Sequence, residues 1–270
     1  MGAWRRGQRF FRATAMLVLG LTLASPAAAQ PLPAGQSVRR FEEADPQVLN
    51  PDYLLYLPEG ANEGGEGVFP VLLFLHGSGE RGSDIEIVKR NGPPGFLDTR
   101  ADFPFITVSP QLPAERDWDS ASLIDLLDHV MTIVPADPRR VYLTGLSRGG
   151  HATWRLGAEY PERFAAIAPV AGRGDPATAC ALADMPVWSF HGDADDIVLA
   201  ADNAAMVEAV EACGGEPRFT LYEGVGHASW IPAYEDPALY DWLLAHRLPH
   251  GTRKPEIEKP EPKKRVTDGF

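Results

Sequence analysis

Cysteine and positive charge are both scarce in this chain, and each shortage excludes a class of function. Cys180 and Cys213 are the two cysteines among 270 residues, and neither has a metal-ligating neighbour at a useful spacing. We therefore expect no metal site and no cysteine nucleophile. Lys and Arg total 25 against 37 Asp and Glu, which gives a formal net charge of −12. A chain this acidic is a poor candidate for binding nucleic acid or an anionic membrane surface.

The N-terminal apolar stretch, residues 15–24, is too short to span a membrane comfortably. It precedes Ala27-Ala28-Ala29, which fits an Ala-x-Ala cleavage site, and it follows four arginines, Arg5, Arg6, Arg9 and Arg12. This order predicts a secretory signal peptide over residues 1–29 and a secreted or periplasmic protein without a stable membrane anchor. The alternative is an N-terminal anchor, which the short apolar stretch disfavours.

Export would place the two cysteines in an oxidising compartment, where disulfides form and persist. Because the number of cysteines is even, we expect Cys180 and Cys213 to pair. Two unpaired buried thiols are the alternative.

The rest of the chain alternates short apolar segments with helical ones. Residues 71–75 form an uninterrupted apolar run, which is typical of a strand buried on both faces of a parallel sheet. The alternation predicts a three-layer α/β fold with a mostly parallel central sheet over residues 30–248. Residues 249–270 are charged and rich in proline, which predicts a solvated, disordered tail.

The other predicted strands and helices follow the same patterns of alternation and helical spacing. The strands lie at residues 38–41, 53–57, 105–108, 140–144, 164–170, 186–190 and 219–222, and the helices at 121–134, 150–160, 202–212 and 237–245.

The most informative segment reads Gly145-Leu146-Ser147-Arg148-Gly149 and has the G-x-S-x-G pattern of a nucleophile elbow. A β-branched and aromatic segment precedes it and a helical segment follows it, so the serine lies on a strand-to-helix turn. The glycines remove side chains that would clash in so sharp a turn. A plain Gly-Ser turn is the alternative, because the pattern alone has a high false-positive rate.

A serine nucleophile needs a base and an orienting carboxylate, which follow it in the chain order Ser, Asp or Glu, His. Asp193, Asp195 and Asp196 follow a predicted strand and compete for the orienting role. His227 is the one later histidine directly downstream of a strand, which favours it as the general base over an ordinary loop histidine. A calcium loop is disfavoured for the three aspartates, because the sixth-position Gly and terminal Glu are missing.

The glycine-rich residues 76–82 follow the first buried strand, where an oxyanion hole is completed. The expected donors are the backbone amide of Arg148, next after the nucleophile, and the backbone amide of Ser78. These residues contain no G-x-G-x-x-G and no Lys-Ser/Thr ending, so we expect no nucleotide and no other cofactor.

Together these segments resemble the α/β-hydrolase superfamily. The likeness is to secreted esterases that include polyhydroxyalkanoate-depolymerase-like and feruloyl-esterase-like enzymes, with phospholipase/carboxylesterase and predicted-peptidase relatives. It rests on HGSGERG (76–82), RVYLTGLSRGGHATW (140–154), FAAIAPVAG (164–172), PVWSFHGDADDIV (186–198) and GVGHASW (224–230).

The resemblance implies the α/β-hydrolase fold and the site residues of a serine esterase. The family pattern H-G-x-x-D-x-x-V falls on His191, Gly192, Asp195 and Val198, which singles out Asp195 as the orienting carboxylate. Catalysis would then use Ser147, Asp195 and His227 to cleave carboxylic esters through an acyl-enzyme. Arg148 departs from relatives that carry an uncharged residue there, so its guanidinium either lies at the mouth of the site or is solvated.

The connection over residues 171–185 is short and lacks a hydrophobic helix, which predicts no lid domain. An open site favours small-molecule or polymer-linked esters over triglyceride droplets. Trp230, three residues after His227, and Trp118 are candidates for binding the substrate, with core packing as the alternative for each.

Two other functions remain open. A serine peptidase could use the same triad, since ester and amide cleavage share this machinery. A non-catalytic binding protein on a hydrolase fold is less favoured, because all three triad residues and both oxyanion segments are present.

Overall fold

The computed structural model describes residues 1–2, 32–61 and 68–249. The predicted signal peptide, apart from Met1 and Gly2, and the predicted tail from residue 250 onward lie outside these residues.

Within residues 32–61 and 68–249, eight strands form one sheet in the order β1-β2-β4-β3-β5-β6-β7-β8. Strands β3 to β8 run parallel, whereas β2 is antiparallel to both of its neighbours. Each predicted strand overlaps one of these, so the mostly parallel sheet is confirmed. The strands are β1 (Gly35–Arg40), β2 (Asp52–Leu57), β3 (Phe69–Leu75), β4 (Ile106–Pro110), β5 (Ala136–Leu146), β6 (Ala166–Val170), β7 (Trp188–Gly192) and β8 (Arg218–Tyr222).

Strand β3 shows why the apolar run was a reliable signal. Successive side chains of a strand point to opposite faces of the sheet. Leu73 and Leu75 therefore join one core cluster, while Leu72 and Phe74 join the other, and all four are fully buried. A strand covered on both faces has no position that favours a polar residue.

In the described part of the chain, five α-helices cover the two faces of the sheet. Buried residues of α1, α2 and α3 lie in one core cluster, and those of α4 and α5 lie in the other, which gives the predicted three layers. Asp119 caps α1 by accepting a hydrogen bond from the Ser122 amide at 2.9 Å. The helices are α1 (Ser120–Ile133), α2 (Arg148–Glu159), α3 (Ala200–Ala212), α4 (Trp230–Glu235) and α5 (Pro237–Leu244).

The connection between β6 and β7 contains a short 3₁₀ helix, Pro176–Leu182, that the sequence analysis did not predict. Its apolar residues Ala179 and Leu182 are buried in the core cluster of α1 to α3. Cys180 in this helix forms a disulfide with Cys213, the residue that ends α3. The predicted disulfide is thus confirmed, and it fastens the connection to α3.

Candidate active site

Ser147 lies between the end of β5 and the start of α2 with a φ of 52°. A positive φ is rare for a residue with a side chain and is typical of strained functional turns. A Cβ atom at Gly149 would collide with the carbonyl oxygen of Leu75, and one at Gly145 with the carbonyl oxygen of Gly149. Both glycines of the G-x-S-x-G pattern are therefore required by the close approach of the backbone, and they hold the serine in this turn.

The structure brings Ser147, His227 and Asp195 together from three separate loops. The Ser147 Oγ lies 2.9 Å from Nε2 of His227, and Nδ1 of His227 lies 2.8 Å from Oδ2 of Asp195. The Asp195 side chain has no exposed surface, and that of His227 is 15% exposed. An unbroken hydrogen-bond chain thus runs from a partly accessible hydroxyl to a buried carboxylate.

Asp195 is the one member of its aspartate run that faces His227. Its Oδ1 accepts hydrogen bonds from the amides of Ile197 at 2.9 Å and Val198 at 3.0 Å. Burial by itself would raise the pKa of the Asp195 carboxyl, but the bonds from His227 and the two amides hold that pKa below its ordinary value. The carboxylate therefore stays ionised and accepts the His227 Nδ1–H. Asp193 instead accepts from the Gly224 amide at 2.7 Å and shapes the histidine loop.

Two residues behind Asp195 were not recognised as functional from the sequence. His191 at the end of β7 has its Nε2 3.0 Å from Oδ2 of Asp195, and its Nδ1 lies 3.0 Å from Nδ2 of Asn203 on α3. Both side chains are fully buried. The signal for His191 was present, since it is the first position of H-G-x-x-D-x-x-V, but Asn203 carries no motif.

On the other side of Ser147, the side chain of Arg148 joins two loops. Its Nε donates to Oγ of Ser78 at 2.9 Å, and its Nη1 lies 3.3 Å from Oδ1 of Asp117. The Arg148 side chain is 30% exposed, so it lies at the surface beside the serine. Its own amide is at the first residue of α2, and the Ser78 amide begins a 3₁₀ helix, Ser78–Glu80. Helix N-termini present free N–H groups, as an oxyanion hole requires.

His76 supports the loop of Ser78 from below. Its Nε2 accepts from the Leu112 amide at 3.0 Å, so Nδ1 carries the proton and donates to the Gly77 carbonyl at 2.6 Å. Burial lowers the pKa of His76 to about 4, despite the opposing effect of the Gly77 carbonyl. The ring is therefore neutral near pH 7.

Trp118 packs edge-on against His76 with ring centroids 4.8 Å apart, and its indole N–H points at the His76 carbonyl oxygen, 3.3 Å away. It is 3% exposed and belongs to the main core cluster. These contacts favour core packing, the alternative considered above, over the predicted substrate contact. The reason is that the indole has almost no free surface.

Trp230 remains adjacent to the site. Its ring packs edge-on against His227 at 5.2 Å, and it is half-buried. The indole N–H donates to Oδ1 of Asn91 at 3.0 Å, and the Asn91 amide donates to Oε1 of the buried Glu80 at 2.5 Å. Trp230 is thus held in place beside the base, and its contact with substrate stays a prediction.

Within the described residues no cluster of three or more His, Cys, Asp or Glu side chains is arranged to hold a metal ion. In the same part of the chain no helix is long and apolar enough to cross a membrane.

Comparison with known proteins shows which hydrolases this chain is similar to. A sequence model of the dienelactone hydrolase family matches residues 112–238. NocK of Nocardia uniformis subsp. tsuyamanensis, a protein assigned as an esterase, is 33% identical over 162 residues, covering 54% of this chain and 45% of NocK. Poly(3-hydroxyalkanoate) depolymerase C of Paucimonas lemoignei is 41% identical over 54 residues, covering 20% of this chain and 13% of the depolymerase.

Among solved structures, a thermostable esterase is 30% identical and superposes with a TM-score of 0.68, covering 73% of this chain and 59% of that esterase. The chain spans less than half the length of the curated relatives it matches. The predicted resemblance is confirmed by the family match and the shared fold. The chain therefore has the α/β-hydrolase fold, and its residues 112–238 resemble the dienelactone hydrolase family.

Proposed function

We propose that this protein is a serine hydrolase that cleaves carboxylic esters through an acyl-enzyme. The observation that carries the proposal is the continuous chain from the Ser147 hydroxyl through His227 to Asp195, at 2.9 and 2.8 Å, on a strained nucleophile turn. A nucleophile within hydrogen-bond reach of a base that a carboxylate orients is the arrangement that acyl transfer needs.

In the proposed reaction His227 Nε2 takes the Ser147 hydroxyl proton while Oγ bonds to the ester carbonyl carbon. The amides of Ser78 and Arg148 bind the resulting oxyanion. The alcohol leaves with the proton from His227, and the acyl group stays on Ser147. A water molecule then attacks the acyl-enzyme, with His227 again acting as base, which releases the acid and restores the serine.

Esters are favoured over peptides because the relatives above 30% identity include a protein assigned as an esterase and a depolymerase of a polyester. The 3₁₀ helix between β6 and β7 packs into the core instead of over Ser147, which supports an open site for small or polymer-linked esters.

The test is hydrolysis of a panel of p-nitrophenyl and feruloyl esters, with a fluorophosphonate probe as a covalent label for the nucleophile. We expect turnover and labelling by the wild type and a loss of both in Ser147→Ala. The control Ser37→Ala, on the edge strand β1, should behave as the wild type. Ester turnover that persists in Ser147→Ala would refute the mechanism, and a folded wild type that cleaves only peptides would refute the substrate class.

Export is part of the same proposal. The N-terminal pattern over residues 1–29 and a disulfide suited to an oxidising compartment support it. N-terminal sequencing of the protein recovered from outside the cytoplasm should begin at Gln30, and a retained Met1 would contradict a cleaved signal.

A further inference from the structure

We propose that His191 is a positioning residue for the triad: its neutral ring donates Nε2–H to the Val198 carbonyl and so fixes the loop whose amides hold the Asp195 carboxylate that orients His227. This inference rests on the proposed function, because it gives His191 a part in that reaction. Trp154 sets the direction of the hydrogen bonds that lead to His191, because its indole nitrogen can act only as a donor.

The indole determines how the buried Asn203 amide is oriented. Nε1 of Trp154 lies 3.1 Å from Oδ1 of Asn203, and the Ser189 hydroxyl lies 2.9 Å from the same oxygen. Turning the amide over would place its NH₂ group against the indole N–H, donor against donor. The oxygen of Asn203 therefore faces Trp154, and its NH₂ group faces His191.

The Asn203 amide in turn determines the tautomer of His191. Nδ2 of Asn203 lies 3.0 Å from Nδ1 of His191, and an amide nitrogen can only donate. Nδ1 must therefore be the unprotonated acceptor, so the ring proton is on Nε2. A doubly protonated ring would set an N–H against the Asn203 NH₂, and the ring is thus held neutral.

The proton on Nε2 is donated to the Val198 carbonyl oxygen of the orienting loop, beside the Asp195 carboxylate. Nε2 is 3.0 Å from Oδ2 of Asp195 and 2.8 Å from the Val198 carbonyl oxygen. The Val198 amide itself donates to Oδ1 of Asp195 at 3.0 Å. His191 therefore holds the loop that carries Asp195, and through Val198 it fixes the carboxylate.

This arrangement places two histidine rings beside one oxygen of Asp195. Oδ2 accepts Nδ1–H of His227 at 2.8 Å, and Nε2 of His191 lies 3.0 Å from the same oxygen. With two amides on Oδ1, the carboxylate has little freedom to rotate, and its remaining direction is toward His227. A chain of neutral groups from Trp154 to His191 thus fixes the base without adding charge to the site.

A matched pair of variants tests the role. His191→Gln keeps an N–H donor near the position of Nε2, whereas His191→Leu has a similar volume and no donor. We expect kcat on p-nitrophenyl esters to fall roughly 10- to 100-fold in His191→Leu, with KM changed by less than about threefold. His191→Gln should recover most of kcat. Equal kcat in His191→Leu and the wild type, or an equal loss in both variants, would overturn the proposal.

Nitrogen-15 NMR of the histidine-labelled wild type tests the same inference without a leucine variant that could fail to fold. The signal that disappears in His191→Gln belongs to His191, and it should show the Nε2–H tautomer at neutral pH. An Nδ1–H tautomer or an imidazolium would overturn the proposal. A folded wild type that cleaves no ester would overturn the proposed function itself, whereas an active wild type with an unaffected His191→Leu overturns only this role.

Discussion

The two sides of Ser147 are built in opposite ways. The proposed acid–base side comprises His227, Asp195, His191 and Asn203, and the last three are at most 5% exposed. The proposed oxyanion side comprises Ser78, Arg148 and Asp117, where the side chains of Arg148 and Asp117 are 30% and 60% exposed. One side is a buried network of hydrogen bonds, and the other is closed by an ion pair at the surface.

The difference follows from what each side must hold. A base works only when its ring is turned correctly, and a ring is oriented only by the groups that bond to it. Buried donors and acceptors have no water to replace a lost partner, so each bond constrains its neighbour strongly. The proposed oxyanion donors are backbone amides, which the fold already positions. Side chains around them are therefore free to lie in water, where an ion pair contributes little.

The largest change in stability is expected from removing the disulfide that holds α3, the helix that carries Asn203. Asn203 lies on α3, and the disulfide from Cys213 to Cys180 fastens the end of that helix across 33 residues. Replacing both cysteines by serine should lower the free energy of unfolding by about 3–4 kcal/mol, because the unfolded chain loses a cross-link. Urea unfolding of the wild type and the double variant measures this.

A control separates the cross-link from the serine substitutions. Wild type unfolded in the presence of a reductant should match the double variant, and the reductant should leave the variant unchanged. A double variant as stable as the oxidised wild type would show that α3 is held by packing alone.

The second prediction concerns how His76, the neutral histidine beneath the Ser78 loop, makes the stability of the fold depend on pH. Burial lowers the pKa of His76 from its ordinary value near 6.5 to about 4. Between these values the unfolded chain binds a proton that the folded ring refuses, so stability falls as the pH falls through this window. The loss attributable to His76 should reach about 3 kcal/mol by pH 4. Urea midpoints at several pH values between 7 and 4 measure it.

The variant His76→Gln should show a weaker fall of the free energy of unfolding between pH 7 and 4, because glutamine can accept a hydrogen bond from the Leu112 amide without titrating. His151→Gln is the matched control, since His151 is also partly buried with a lowered pKa but lies outside the oxyanion loop. An unchanged pH dependence of the free energy of unfolding in His76→Gln would show that His76 is not the group that makes the fold acid-sensitive.

The same contrast explains what the sequence could predict. Local sequence patterns predict two features. The apolar run predicts that β3 lies inside the sheet, and the glycines around Ser147 predict the nucleophile turn. Chain order after strands predicted Ser147, His227 and a run of three aspartates, because strand ends of a parallel sheet meet at one edge, and the family resemblance singled out Asp195. The structure places Ser147, Asp195 and His227 within hydrogen-bond reach, and their catalytic roles await the experiments above.

What the sequence could not predict depends on contacts between distant elements. Asn203 reads as an ordinary helix residue, and only its packing under β7 shows that it faces His191. Trp118 and Trp230 are both tryptophans near the motifs, but one lies under His76 and the other beside His227. Helix α4 was missed because six residues are too few to establish a helical period.

The smallest change in activity is expected for the exposed contacts of Arg148 with Ser78 and Asp117. Ser78→Ala removes the hydroxyl that accepts from Nε of Arg148 and leaves the Ser78 amide in place. We expect kcat on p-nitrophenyl esters to fall by less than about tenfold, with KM unchanged, because one partly exposed hydrogen bond contributes on the order of 1 kcal/mol. Asp117→Asn should change kcat by less than about twofold, since the ion pair is at the surface.

Salt distinguishes the two contacts of Arg148. At about 1 M salt the interaction with Asp117 is screened, so wild type and Asp117→Asn should become equal, whereas the effect of Ser78→Ala should persist. A fall of a hundredfold or more in Ser78→Ala would mean that the hydroxyl itself contacts the oxyanion. In that case the oxyanion side would depend on its side chains as strongly as the buried side does.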